Sequence, residues 1–123
     1  MEDLLIEGTE ETPTVHLQVG GELSLSGNSY PEDALEFYSP LLSWLDEYRN
    51  SPADSTITTF NISYFNSAST MPLLKILSAL EVMHKAGNKV QVIWRHAVGD
   101  TLMADKAEEM SSLVELPFEI RGE

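Results

Sequence analysis

Apolar and polar residues alternate along Thr14-Val15-His16-Leu17-Gln18-Val19 and again along Glu22-Leu23-Ser24-Leu25-Ser26, on either side of Gly20-Gly21. A period of two belongs to a half-buried strand, and the two glycines permit the positive φ of a two-residue turn, so the segment predicts a β-hairpin. The period then changes. Ala34, Leu35, Tyr38, Leu41, Leu42 and Leu45 recur at three- and four-residue spacing, which predicts a helix from Pro31 to about Tyr48 with one core-facing stripe. Glu32 and Asp33 suit the positive end of its dipole, Pro40 removes one backbone donor from its interior, and Asn50-Ser51-Pro52 ends it.

Ser55 to Phe65 is dense in β-branched and aromatic residues and predicts a strand. A small, hydroxyl-rich knot follows, Asn66-Ser67-Ala68-Ser69-Thr70, and then an apolar stripe of Leu73, Ile76, Leu77, Leu80 and Met83 that predicts a second helix over Thr70 to Ala86, stopped by Gly87-Asn88. Lys89 to Trp94 predicts another strand, with Val90, Val92 and Trp94 on one face. Asp100 caps a third helix, Thr101 to about Leu113, with Leu102, Met103, Ala107 and Met110 inward, and Leu116 to Ile120 forms a short closing strand. The order ββαβαβαβ predicts an α/β fold, a mixed sheet packed against helices. No repeat, linker or low-complexity run divides residues 1–123, so a single domain is expected. Met1 to Glu11 is assigned neither an element nor a chemistry.

A chain of 123 residues, 42% of them hydrophobic, buries roughly two-thirds of its unfolded surface without metals or cross-links. Seven basic residues against twenty acidic ones leave a formal charge of −13, with the acids dispersed along the chain. That balance argues against nucleic acid as a partner, because phosphate neutralisation needs clustered Lys and Arg; it would suit a protein partner with a basic face, although taken alone the acidity implies no more than solubility. There is no cysteine, hence no disulfide, thiol nucleophile or Cys-based metal site. The acidic N-terminus MEDLLIEGTEE lacks a basic n-region and precedes no long apolar run, so a cytoplasmic protein without membrane contact is expected.

Catalytic patterns are sparse. Ser67 has no G-x-S-x-G setting, His16, His84 and His96 are spread over strand, helix and loop, and no paired-histidine spacing or glycine-rich phosphate loop calls for a metal or cofactor. A small hydrolase or ligand-binding domain would have to bring Ser67 and a histidine together through the fold. Trp44, Trp94, Met103 and Met110 fall on core-facing positions. The knot is the distinctive feature, since strand ends that run into helices hold exposed backbone on a rigid scaffold. Ser69 is the expected cap of the second helix.

The run Phe60-Asn61-Ile62-Ser63-Tyr64-Phe65-Asn66-Ser67-Ala68-Ser69 resembles the phosphorylation segment of the SiaC family of bacterial regulatory phosphoproteins. Gly27-Asn28-Ser29-Tyr30-Pro31-Glu32 resembles the G-x-S-Y-P-E segment ahead of that family's first helix, and Leu116-Pro117-Phe118-Glu119-Ile120 resembles its closing segment. More distantly, the strand-knot-helix unit is similar to the STAS fold of anti-sigma-factor antagonists, in which Asp stands where this chain has Asn66. The chain also departs from the acidic run that often follows the family's fourth strand, reading His96-Ala97-Val98-Gly99-Asp100.

The resemblance implies a non-catalytic switch without a cofactor. It would be phosphorylated at the knot by a serine/threonine protein kinase and dephosphorylated by a metal-dependent serine/threonine protein phosphatase. Unphosphorylated, it would bind a diguanylate cyclase and promote cyclic-di-GMP synthesis and so regulate biofilm. By position Ser67 is the expected phosphorylation site, and Tyr30, Pro31, Asn66, Ser67, Ser69 and Thr70 are the expected partner-binding residues. The STAS likeness implies an alternative output, capture of an anti-sigma kinase.

Overall fold

The structure, a computed structural model, describes residues 1–123. Six strands and three helices follow one another as β1 (Leu4–Ile6), β2 (Thr14–Leu17), β3 (Glu22–Ser29), α1 (Ala34–Tyr48), β4 (Ser55–Phe65), α2 (Ser67–Lys85), β5 (Lys89–His96), α3 (Thr101–Ser112) and β6 (Phe118–Gly122). The sheet runs in sequence order from β1 to β6. Its first two pairings are antiparallel and the remaining three parallel. From β3 onward each helix carries the chain to the next strand in the same direction, so right-handed crossovers place all three helices on one face.

The core lies between that face and the helices. On β4, Thr56, Thr58, Phe60 and Ile62 are buried while Ser55, Ile57, Asn61 and Ser63 are exposed, the period-two pattern of a sheet covered on one side. Trp94 stacks on Phe60 with ring centroids 4.6 Å apart, and Trp44 stacks on Tyr48 at 4.8 Å. Met103, Ala107 and Met110 turn inward as their spacing predicts, as do Val90, Val92 and Trp94.

Several expectations are corrected. The sheet has one strand more than predicted: β1 pairs Leu4 with Leu17 and Ile6 with Val15. The β2–β3 connection is not a two-residue turn. Gln18 C=O accepts from Gly21 N–H (2.9 Å), Gln18 N–H donates to Glu22 C=O (3.0 Å), and Gly21 alone of the pair has positive φ, a three-residue loop closed by a glycine bulge. A Cβ on Gly21 would sit 2.1 Å from the Ser55 carbonyl oxygen, so the close approach of β4 also demands glycine. α1 starts at Ala34 rather than Pro31, capped by Asp33, whose Oδ1 accepts from Glu36 N–H at 3.1 Å. Leu35 and Leu102, placed on inward stripes by spacing alone, face solvent. The closing strand is shifted to Phe118–Gly122.

Candidate functional site at the β4–α2 junction

The parallel strands β3 and β4 end side by side, and their register slips just before they do. Gly27 pairs with Ile62 and Asn28 with Tyr64, leaving Ser63 unpaired as a bulge. A bulge resets which residues face which side. Ser63 and Tyr64 therefore both face outward and Phe65 turns into the core. The chain enters α2 immediately after that inward anchor.

Asn66, not Ser69, caps α2: its Oδ1 accepts from Ser69 N–H at 3.2 Å, and the helix begins at Ser67. An Asx side chain at this position satisfies a backbone donor that has no partner inside the helix. The knot is thus the cap and first turn of α2 rather than a loop ahead of it. Ser69 lies on the inner side of that turn and is fully buried. Its Oγ donates to Ser29 C=O (3.0 Å) and lies 2.9 Å from Ser29 Oγ, which in turn lies 2.6 Å from Tyr38 Oη. With one proton on each hydroxyl, the chain resolves in one sense: Tyr38 donates to Ser29 Oγ, Ser29 Oγ to Ser69 Oγ, and Ser69 Oγ to the Ser29 carbonyl. Burial pushes the Tyr38 phenol up to about 12. Asn66 N–H also donates to Ser29 C=O, at 3.1 Å. The cluster ties the end of β3, α1 and the start of α2 into one unit.

Ser67 and Thr70 are exposed on the outer side of the same turn. Of the six residues expected to meet a partner, Asn66 and Tyr30 are half-buried and Ser67 and Thr70 exposed, whereas Ser69 and Pro31 are buried and present no contact surface. Two residues missed from sequence join the patch. Tyr64 is 44% exposed and meets Tyr30 edge-on at 6.0 Å. Lys106, reaching across from α3, donates to Phe65 C=O at 2.7 Å and places Nζ 5.0 Å from the Tyr64 ring centroid and 4.5 Å from that of Phe65. Thr70 and Lys106 share a cavity of about 110 Å³ with Phe65, Glu109, Met110 and Leu113.

The histidines lie elsewhere. His84 lines a cavity with Ser55 and Lys89, and His96 one with Arg95 and Asp100; Ser67 belongs to neither. His16 is on β2. Ser67 therefore shares no cavity with a histidine, the pairing that a hydrolase built on Ser67 would need. No group of three His, Cys, Asp or Glu side chains could hold a metal ion, and no helix is long and apolar enough to cross a membrane.

Fold and site together define a one-sided α/β domain whose distinctive chemistry is an exposed hydroxyl at a rigidly buttressed strand-to-helix junction. The family model for the SiaC family regulatory phosphoprotein matches residues 6–123, and the chain belongs to that family. A relative from Pseudomonas aeruginosa, itself described as uncharacterised, is 30% identical over 123 residues, 99% of this chain and 98% of that one. Among solved structures, SiaC of Pseudomonas aeruginosa superposes with a TM-score of 0.92 at 29% identity, with all of both chains covered. A second structure, of the diguanylate cyclase SiaD in complex with its activator SiaC from Pseudomonas aeruginosa, matches with a TM-score of 0.90 at 29% identity, over 98% of this chain and all of that one.

Proposed function

We propose that this chain is a phosphorylation-switched interaction protein of the cytoplasm, without catalysis of its own, whose unphosphorylated form binds and promotes a diguanylate cyclase. The contrast between two neighbouring serines carries the reading. Ser67 offers an exposed hydroxyl on the first residue of α2, while Ser69 is sealed beneath it. A kinase can engage the first without disturbing the fold and cannot reach the second. Membership of a regulatory phosphoprotein family, and a solved relative seen with the cyclase it activates, support the same assignment.

The chemistry is supplied by the partners. Ser67 Oγ attacks the terminal phosphorus of a nucleoside triphosphate held by a serine/threonine kinase. The new O–P bond replaces the bridging one, nucleoside diphosphate leaves, and the serine proton passes to a base on the kinase. A metal-dependent phosphatase reverses the state when its activated water attacks phosphorus, restoring the hydroxyl and releasing inorganic phosphate. The product of the first step carries about −1.5 to −2 charges where a small neutral side chain stood. On a chain already at −13, that group adds bulk and a desolvation penalty to the patch of Tyr30, Tyr64, Asn66 and Thr70, so partner binding weakens.

Phosphopeptide mapping of protein recovered from its native host tests the assignment. Phosphate is expected on Ser67, and Ser67→Ala is expected to incorporate none while melting as the unsubstituted protein does. Undiminished incorporation in Ser67→Ala would move the site to Thr70.

A further inference from the structure

The chain has seven Lys and Arg residues among twenty carboxylates. Arg49, Lys85, Arg95 and Arg121 each lie within 4.0 Å of a carboxylate oxygen. Lys75 and Lys89 stand free but are fully surface-borne. Lys106 differs from both sets. It is half-buried and unpaired with any carboxylate, and its ammonium is held by the Phe65 carbonyl and two aromatic faces instead. Phe65 is two residues from Ser67, a Cα separation of at most about 7 Å. The Lys106 Nζ already sits at the Phe65 carbonyl, on a flexible four-carbon stem with three donors at its tip.

We infer that Lys106 is the residue that receives the phosphoryl group once Ser67 carries it, exchanging the Phe65 carbonyl for the phosphate oxygens. This pairing rests on Ser67 being the modified residue. Charge-assisted bonds between an ammonium and a phosphate are roughly twice as strong as neutral ones, and a dianion outcompetes a lone carbonyl for the cation. The other charged group lining the cavity around Lys106 is Glu109, and a carboxylate there neither donates to the phosphate nor holds Lys106 in an ion pair. The exchange has two consequences beyond added bulk. Tyr64 loses the cation from its ring, and Phe65 C=O loses its hydrogen bond from α3, so the aromatic pair Tyr30–Tyr64 is altered at the moment the charge appears. Lys106 is a positioning residue: it holds one surface in the unphosphorylated state and a different one in the phosphorylated state.

The test uses the full chain with phosphoserine installed at position 67 during translation, followed by ³¹P resonance over a pH titration. Phosphoserine releases its second proton near pH 6. A neighbouring ammonium favours the dianion and lowers that midpoint. Lys106→Gln is therefore expected to raise the midpoint by about half a unit, roughly a threefold change in proton affinity, and Lys106→Arg to restore most of it. In the unsubstituted chain the Lys106 Nζ resonance is expected to move with the phosphate midpoint, a readout that needs no variant to fold. Equal midpoints in the Gln and unsubstituted proteins, with an unmoved Nζ signal, would overturn the pairing. Because the phosphate is installed directly, that result counts against Lys106 alone, whereas a native phosphate mapped away from Ser67 counts against the site.

Discussion

Ser69→Asp is expected to lose on the order of 4 kcal/mol of the domain's stability near neutral pH, while Ser67→Asp, two residues away on the same helical turn, is expected to melt within about 0.5 kcal/mol of the unsubstituted protein. The difference follows from burial. Ser69 is fully enclosed, and its hydrogen-bond partners are Ser29 and Asn66 groups with no cation among them. A carboxyl in such a site has its pKa raised by up to about 3–5 units, each worth 1.36 kcal/mol, so the penalty at pH 7 is on the order of 4 kcal/mol against a typical total of about 5–15. The sign with pH is fixed. The carboxyl's folded pKa lies above its unfolded value near 3.9, so the penalty is small below about pH 4 and grows as pH rises towards the folded value. Thermal melts of both variants at pH 4 and pH 7 check this. Equal melting of the two at pH 7 would show that Ser69 is reachable by solvent and by a kinase.

The second large effect is alkaline. The Tyr38 phenol is raised from 10.0 to about 12 by burial. In the unfolded chain the phenol ionises near 10, in the folded chain about two units higher. The stability tied to this group is complete below pH 10 and is lost as pH rises through 12, a decline of roughly 3 kcal/mol. Denaturant unfolding across that window is expected to show the decline in the unsubstituted protein and a flatter course in Tyr38→Phe. The same slope in both proteins would place the alkaline transition elsewhere.

The predictions turn on side-chain directions that sequence conveys only in part. Long periodic runs were legible: the stripes Leu73–Met83 and Met103–Met110, and the alternation of Val90, Val92 and Trp94, are set by local spacing and survive in the fold. Leu4–Ile6 was not, because three residues carry no period, and β1 exists through its pairing with β2. The knot was recognised but its inside and outside were not. Pro72 suits the first turn of a helix, so local spacing starts α2 at Thr70 and points to Ser69 as its cap. Its inward orientation is set by Ser29, 40 positions away in sequence. The bulge at Ser63, which turns Tyr64 outward, is a product of β3–β4 register, and Lys106 reaches Phe65 from 41 positions away. Neither leaves a mark in the local pattern. The motif resemblance points to the β4–α2 junction; tertiary contacts decide which of its hydroxyls is available.

That availability matters only if the state of Ser67 controls partner binding. The most direct measurement is a calorimetric titration of a diguanylate cyclase from the same organism, at one salt concentration, against the unphosphorylated chain, the Ser67-phosphorylated chain, Ser67→Ala and Ser67→Asp. The unphosphorylated and Ala proteins are expected to bind alike. Phosphorylation is expected to cost at least about 2 kcal/mol, roughly thirtyfold in affinity. Ser67→Asp should fall between, since a carboxylate brings one charge where phosphate brings about −1.5 to −2. Equal affinity of the phosphorylated and unphosphorylated proteins would contradict the switch and leave the β4–α2 junction a capped turn.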